Sequence, residues 1–152
     1  MKTTISFKKA GQEDKEFLLL LRKAAMTEHL EKAGIVMSDE QHYQRIDEFF
    51  TDSHIICKDD ERIGLVKFAL LADRLHIRQF QIMPAFHNCG IGTRVLSLLK
   101  RKAQERNLAI TLNVLLANPA LKLYQRLISK NNNQQKKPYL SSFHLFYFLL
   151  KE

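Results

Sequence analysis

Between Pro84 and Leu96 the chain reads PAFHNCGIGTRVL, and this stretch limits the fold more than any other. An apolar run comes before it and a helical pattern after it. Two of only five glycines, Gly90 and Gly92, fall at the junction, so backbone there is built to approach something closely. A strand–loop–helix joint presents unpaired backbone N–H groups and the positive end of a helix dipole, an anion site most often used for phosphate. A dinucleotide fingerprint needs a third glycine where this chain has Val95, and the Gly-Lys-Ser/Thr of a P-loop is absent. On the glycines alone, a phosphate site and a plain glycine-eased helix start stand level.

The remaining patterns alternate in type. Thr3 to Ala10 reads as a strand with Ile5 and Phe7 on one face. Gln12 to Lys32 places Phe17, Leu20, Leu21, Ala24 and Leu30 at helical spacing, with Gly34 as a stop. Ser38 is the N-cap candidate of a second helix, SDEQHYQRIDEFF. Three strands follow between Ser53 and Pro84, turning at Asp59-Asp60 and Ala72-Asp73, the last of them from Leu75 to Ile82. Gly90 to Arg106 is a helix burying Ile91, Val95, Leu98, Leu99 and Ala103. AITLNVLL is a strand, and NPALKLYQRL a helix with Asn118 at its N-cap and Pro119 in its first turn. No internal repeat or linker interrupts the order, so residues 1–152 are expected to form a single domain.

Charge and composition exclude several classes. An apolar share of 45% with 26% charged residues is that of a globular protein. Met1 to Ala10 alternates like a strand and carries no secretory pattern. Phe143 to Leu150, the longest apolar run, is far short of the roughly 20 residues of a spanning helix. The expectation is a soluble, cytoplasmic protein without a membrane partner. Cys57 and Cys89 read as reduced thiols, and no metal ligand set is read from the chain. The net charge of +8 is concentrated after Asp52, with ten basic residues against Glu105 alone between Arg94 and Lys137. That run suits a solvated face or a polyanion. Nucleic acid is disfavoured as the partner because Tyr124 is the only aromatic residue between Phe86 and Tyr139.

QIMPAFHNCGIGTRVLSLLKRKAQERN, followed by LNVLLANPALKLYQRL, resembles the GNAT superfamily of acetyl-CoA-dependent N-acetyltransferases. The family's Gln/Arg-x-x-Gly-x-Gly/Ala signature is filled by His87-Asn88-Cys89-Gly90-Ile91-Gly92, with Pro84 in its usual place. Its second signature is matched by Asn118, Ala120 and Leu123-Tyr124. The resemblance implies an α/β fold, a central mixed sheet with splayed parallel strands flanked by helices. It implies acetyl-CoA as co-substrate. Backbone at Ile82 and Met83 would pair with the pantetheine arm. His87, Asn88, Cys89, Gly90, Ile91, Gly92 and Thr93 would hold the pyrophosphate, with Asn118 a further cofactor ligand and Arg94, Lys100 and Arg101 near remaining phosphate charge.

The same resemblance implies transfer to a primary amine, small-molecule or peptide, by direct attack on the thioester, and allows a homodimer. Tyr124 would be the acid for the leaving thiolate. Glu28 and Gln79 lie where relatives build the acceptor site, although glutamine takes no proton and a glutamate on an exposed helix face is more often merely solvated. His87 replaces the usual Gln or Arg, and Cys89 stands where a basic residue is common. After Leu127 the family's Gly-Phe is replaced by Ile128-Ser129, and residues 128–152 form an atypical tail. That departure supports an alternative, a non-catalytic member that binds acyl-CoA or a partner. Shifting plausible codons by one position allows Gly-Phe among the possible translations, so a frame shift and a native tail are both open as its origin, and its last apolar run can still pair as a strand.

Overall fold

Two aspartates make the first hairpin. Asp59 and Asp60 both adopt positive φ, 48° and 73°, the backbone that lets a two-residue turn follow the right-handed twist of its strands. They join β2 (Ser53–Lys58) to β3 (Glu61–Leu70), paired antiparallel from Ser53↔Lys67 to Lys58↔Glu61 with an irregularity at Ile56/Cys57. The second expected turn is closed by Leu71 N–H donating to Arg74 C=O at 2.8 Å, and it leads into β4 (Arg74–Ile82). The computed structural model describes residues 3–32, 34–115, 139–140 and 145–150. The side chains of 26–30, 32 and all residues from 113 on lie outside that description.

The remaining elements are β1 (Ile5–Lys9), α1 (Lys15–Lys32), α2 (Asp39–Asp47), α3 (Ile91–Gln104), β5 (Ala109–Leu115), β6 (Tyr139–Leu140) and β7 (Leu145–Leu150). The strand order is β1-β2-β3-β4-β5-β7-β6. β1–β2, β2–β3, β5–β7 and β6–β7 pair antiparallel, whereas β4 and β5 run parallel, as they can because α3 carries the chain between them. This is the mixed α/β sheet flanked by helices that the sequence implies. The chain gathers into two compact units, one of Met1–Lys67 with Phe80–Ile91, the other of Phe68–Gln79 with Gly92–Glu152.

In the first unit Leu18, Leu21, Ile46, Ile55, Cys57 and Leu65 form the core. The expected face of α1 is corrected here. Leu18 is buried and Leu20 is 58% exposed, and Ala24 is exposed while Ala25 is half-buried. The inward face is Leu18, Leu21 and Arg22, continued backwards by Asp14 in the short turn before α1, so the buried row includes two charged residues. Both find partners. Asp14 accepts from Gly11 N–H at 2.9 Å and lies 2.9 Å from Arg62 Nε, and Arg22 Nε donates to His42 Nδ1 at 3.2 Å.

Ser38 caps α2 as expected, accepting from Gln41 N–H at 3.2 Å while Gln41 Oε1 accepts from Ser38 N–H at 2.8 Å. The helix stops at Asp47, short of the expected Phe50, because Glu48 is extended and Phe49 is left-handed. Its end is held by Lys67 of β3. That buried ammonium donates to Arg45, Ile46 and Glu48 carbonyls at 3.1, 3.0 and 2.6 Å. Burial, then the Arg22 charge, pulls its pKa down to about 8.

In the second unit Leu75, Ile77, Val95, Leu96, Leu99, Ala103, Ile110 and Leu112 are buried. Leu96 belongs to that set although the sequence pattern selects Leu98, which is half-buried. The last apolar run pairs as a strand, with β7 on β5 from Ile110↔Leu150 to Leu115↔Leu145.

Candidate functional site

The joint picked out by the glycines is built in three steps. Pro84–Phe86 makes one short helical turn, closed by Phe86 N–H to Met83 C=O at 2.8 Å and His87 N–H to Pro84 C=O at 3.1 Å. His87 is extended, Asn88 takes φ 59° and Gly90 takes φ 77°. α3 then starts at Ile91 rather than at Gly90, because Gly90 lies in the left-handed region that ends helical geometry. A Cβ on Gly90 would meet no atom within 4 Å, so the glycine is there for its φ and not for room. Asparagine at 88 is among the residues that tolerate positive φ best. The first N–H groups of α3 have no partner within the helix, which leaves them available to an anion.

Side chains tie this loop to the end of β4. His87 Nε2–H donates to Ile82 C=O at 2.8 Å, and Cys89 Sγ–H to His87 C=O at 3.4 Å. Met83 N–H is spent on Ile63 C=O of β3 at 2.8 Å. Of the two positions expected to pair with a pantetheine arm, Met83 thus has its amide engaged in the sheet and Ile82 has its carbonyl shared with His87. Gly64 of β3 explains why backbone is so close here. A Cβ on it would stand 2.5 Å from Gln81 C=O and 3.0 Å from Ile82 Cδ1. Gln81 is buried, and its Oε1 has no partner among the described residues.

On the other unit, the parallel ladder runs for four pairs, Arg74↔Ala109 to Ile77↔Leu112. Both strands continue beyond it, β4 to Ile82 and β5 to Leu115. One rung before the ladder ends, His76 Nδ1 lies 2.6 Å from Thr111 Oγ1. His76 is buried, and burial followed by the charges of Arg74 and Arg78 lowers its pKa.

The expected site residues divide accordingly. Ile82, Met83, His87, Asn88, Cys89, Gly90 and Ile91 come together in one stretch of the first unit. Gly92 and Thr93 continue in the first turn of α3, and half-buried Gln79 lies on β4. Glu28 is within α1, with its side chain outside the described set. Asn118 and Tyr124 lie outside the described residues. The sequence reading passed over Gly64, Thr111 and His76. For His76 the sequence carried no distinct signal, because in RLHIRQFQI it takes an ordinary polar place in the alternation with Leu75 and Ile77.

A sequence profile of the acetyltransferase (GNAT) family matches residues 19–128. The chain belongs to the GNAT family. The match stops at Ile128, where the Gly-Phe usual in GNAT proteins is missing. Solved structures share the GNAT fold over nearly the whole chain. PaiA N-acetyltransferase from Thermoplasma acidophilum, in complex with coenzyme A, is 17% identical, with 98% of this chain and 99% of that one covered at a TM-score of 0.70. An acetyltransferase from Thermus thermophilus is 12% identical, with 96% of each chain covered and a TM-score of 0.73. Arabidopsis thaliana Naa50, in complex with the bisubstrate analogue CoA-Ac-MVNAL, is 14% identical over 97% and 98% of the two chains, TM-score 0.65. A search of curated sequences gave no match. No helix among the described residues is long and apolar enough to cross a membrane.

Proposed function

We propose that this GNAT-family chain moves the acetyl group of acetyl-CoA to a primary amine, on a small molecule or a peptide, by direct attack on the thioester. The observation that carries the reading is the loop from His87 to Thr93, where Asn88 and Gly90 take positive φ immediately before α3. Backbone of that shape aims successive N–H groups at one point, which suits a pyrophosphate. Coenzyme A bound to PaiA and the bisubstrate analogue bound to Naa50 support the choice of acetyl-CoA over other phosphorylated ligands.

In this reading the pantetheine arm takes the backbone of β4 beyond Ile77, where its parallel pairing with β5 has ended. His87 braces the loop through Ile82, Asn118 adds a cofactor contact, and Tyr124 protonates the departing thiolate. Gln79, and Glu28 on α1, lie on the acceptor side. No covalent enzyme intermediate is needed, so the protein's tasks are positioning and two proton transfers.

The test pairs binding with turnover. Calorimetry should show acetyl-CoA binding that is lost in a folded Gly92→Glu protein, because a carboxylate in the first turn of α3 meets phosphate with like charge. Thiol release from acetyl-CoA should then appear with at least one of spermidine, L-lysine, kanamycin or a lysine peptide. Equal affinity in Gly92→Glu would refute the site, and binding without any turnover would leave the chain a non-catalytic acyl-CoA binder.

A further inference from the structure

The transfer needs a group to take the proton that the amine loses, and the glutamines of β4 cannot. Among the described histidines, His42 has Nδ1 occupied by Arg22, His54 Nδ1 pairs with Asp52 C=O at 2.9 Å, and His87 lies in the loop bonded to Ile82. His76 is buried, as His42 is, but differs in two respects: it pairs with a side-chain hydroxyl, and it stands one rung from the point where β4 and β5 stop pairing. One residue along a strand is about 3.3 Å, so the backbone of His76 lies about that far from the last pair, Ile77↔Leu112.

We propose that His76 is the general base of the acetyl transfer, with Thr111 as the positioning residue that fixes its ring. The proposal rests on the acetyl-transfer reading. When Nδ1–H donates to Thr111 Oγ1, the lone pair is on Nε2, the ring nitrogen left for chemistry. This is the arrangement of a base oriented by a third group. As the amine nitrogen attacks the thioester carbon, the C–N bond forms and one N–H proton passes to His76 Nε2. The C–S bond breaks, its electron pair stays on sulfur, and the thiolate takes a proton from Tyr124 or water. The imidazolium returns its proton to solvent. The charges acting on the ring are Arg74 and Arg78 of β4, and Thr111 is the side chain bonded to it from β5. Both arginines, together with burial, disfavour the imidazolium, so the base is neutral and ready at pH 7.

The experiment uses the whole chain, acetyl-CoA and whichever of spermidine, L-lysine, kanamycin or a lysine peptide the wild type turns over. His76→Gln keeps a partner for Thr111 but takes no proton. It should lower kcat by roughly 10²–10⁴-fold with acetyl-CoA affinity and thermal midpoint unchanged. The wild-type profile of kcat/KM should fall on the acid side, below the ordinary histidine range, and His76→Gln should lack that limb. Thr111→Val should slow turnover about tenfold, with Thr111→Ser restoring it, since a misoriented base loses part of its effect. Should His76→Gln fail to fold, the Thr111 pair and the wild-type profile decide alone. Wild-type kcat in folded His76→Gln, an acid limb that survives the substitution, or equal rates in Thr111→Val and Thr111→Ser would each overturn the assignment while leaving acetyl transfer intact. A wild type that binds no acetyl-CoA would instead remove the reading on which it rests.

Discussion

Lys67 spends its ammonium protons on the end of one helix, and that makes it a measurable feature of stability. Its pKa in the folded protein, about 8, lies below the ordinary 10.5. Between those values the unfolded chain holds the proton that the folded chain has released, so stability due to Lys67 rises with pH from about 8 to about 10.5. The urea midpoint of wild type should therefore rise relative to that of Lys67→Met as pH is raised through that window, and a constant difference would contradict the burial argument. Tyr124 carries a different kind of prediction. If it protonates the thiolate, Tyr124→Phe should reduce kcat by roughly 10²–10⁴-fold while acetyl-CoA affinity holds, and an unaltered rate would mark the tyrosine as structural.

Elements were legible where a local rule acted alone. Two consecutive aspartates set the β2–β3 hairpin, and Ser38 with Gln41 set the start of α2, because each depends on residues within one turn of chain. The face of α1 was not legible. Leu18 to Leu21 offer four equivalent phases, and the choice among them is made by Asp14 and Arg22, whose partners Arg62 and His42 come from distant parts of the chain. The left-handed shape of the glycine loop was legible because φ follows from residue type, whereas the close approach at Gly64 was not, because its neighbour Gln81 belongs to another strand. Gly90 and Gly34 separate the two uses of positive φ, at 77° and 71° with open space around each. Gly90→Ala and Gly34→Ala should each destabilise by about 1–2 kcal/mol. Only Gly90→Ala should also weaken acetyl-CoA binding, and equal affinities in the two variants would dissociate the loop's shape from the cofactor.

Across the whole molecule the tail holds the place that its last apolar run was expected to take. Its sequence departs from the family at Ile128, yet β7 takes a full place in the sheet, paired with β5 over six residues. Sequencing the gene and weighing the intact protein test whether a frame shift made that tail; a mass and gene that agree on Ile128-Ser129 would show it to be encoded. A chain ending at His144 would leave β5 as a bare edge, the usual template for strand-to-strand aggregation. It should scatter light and elute as large species, and a monodisperse truncation with the wild-type midpoint would count against this. β5 shares four pairs with β4 but six with β7, so its place in the sheet is secured mainly by the last strand. Changes in β7 can therefore loosen β5 while every residue of the glycine loop stays the same, so a fault in the tail and a fault in the loop leave separate marks in the sequence.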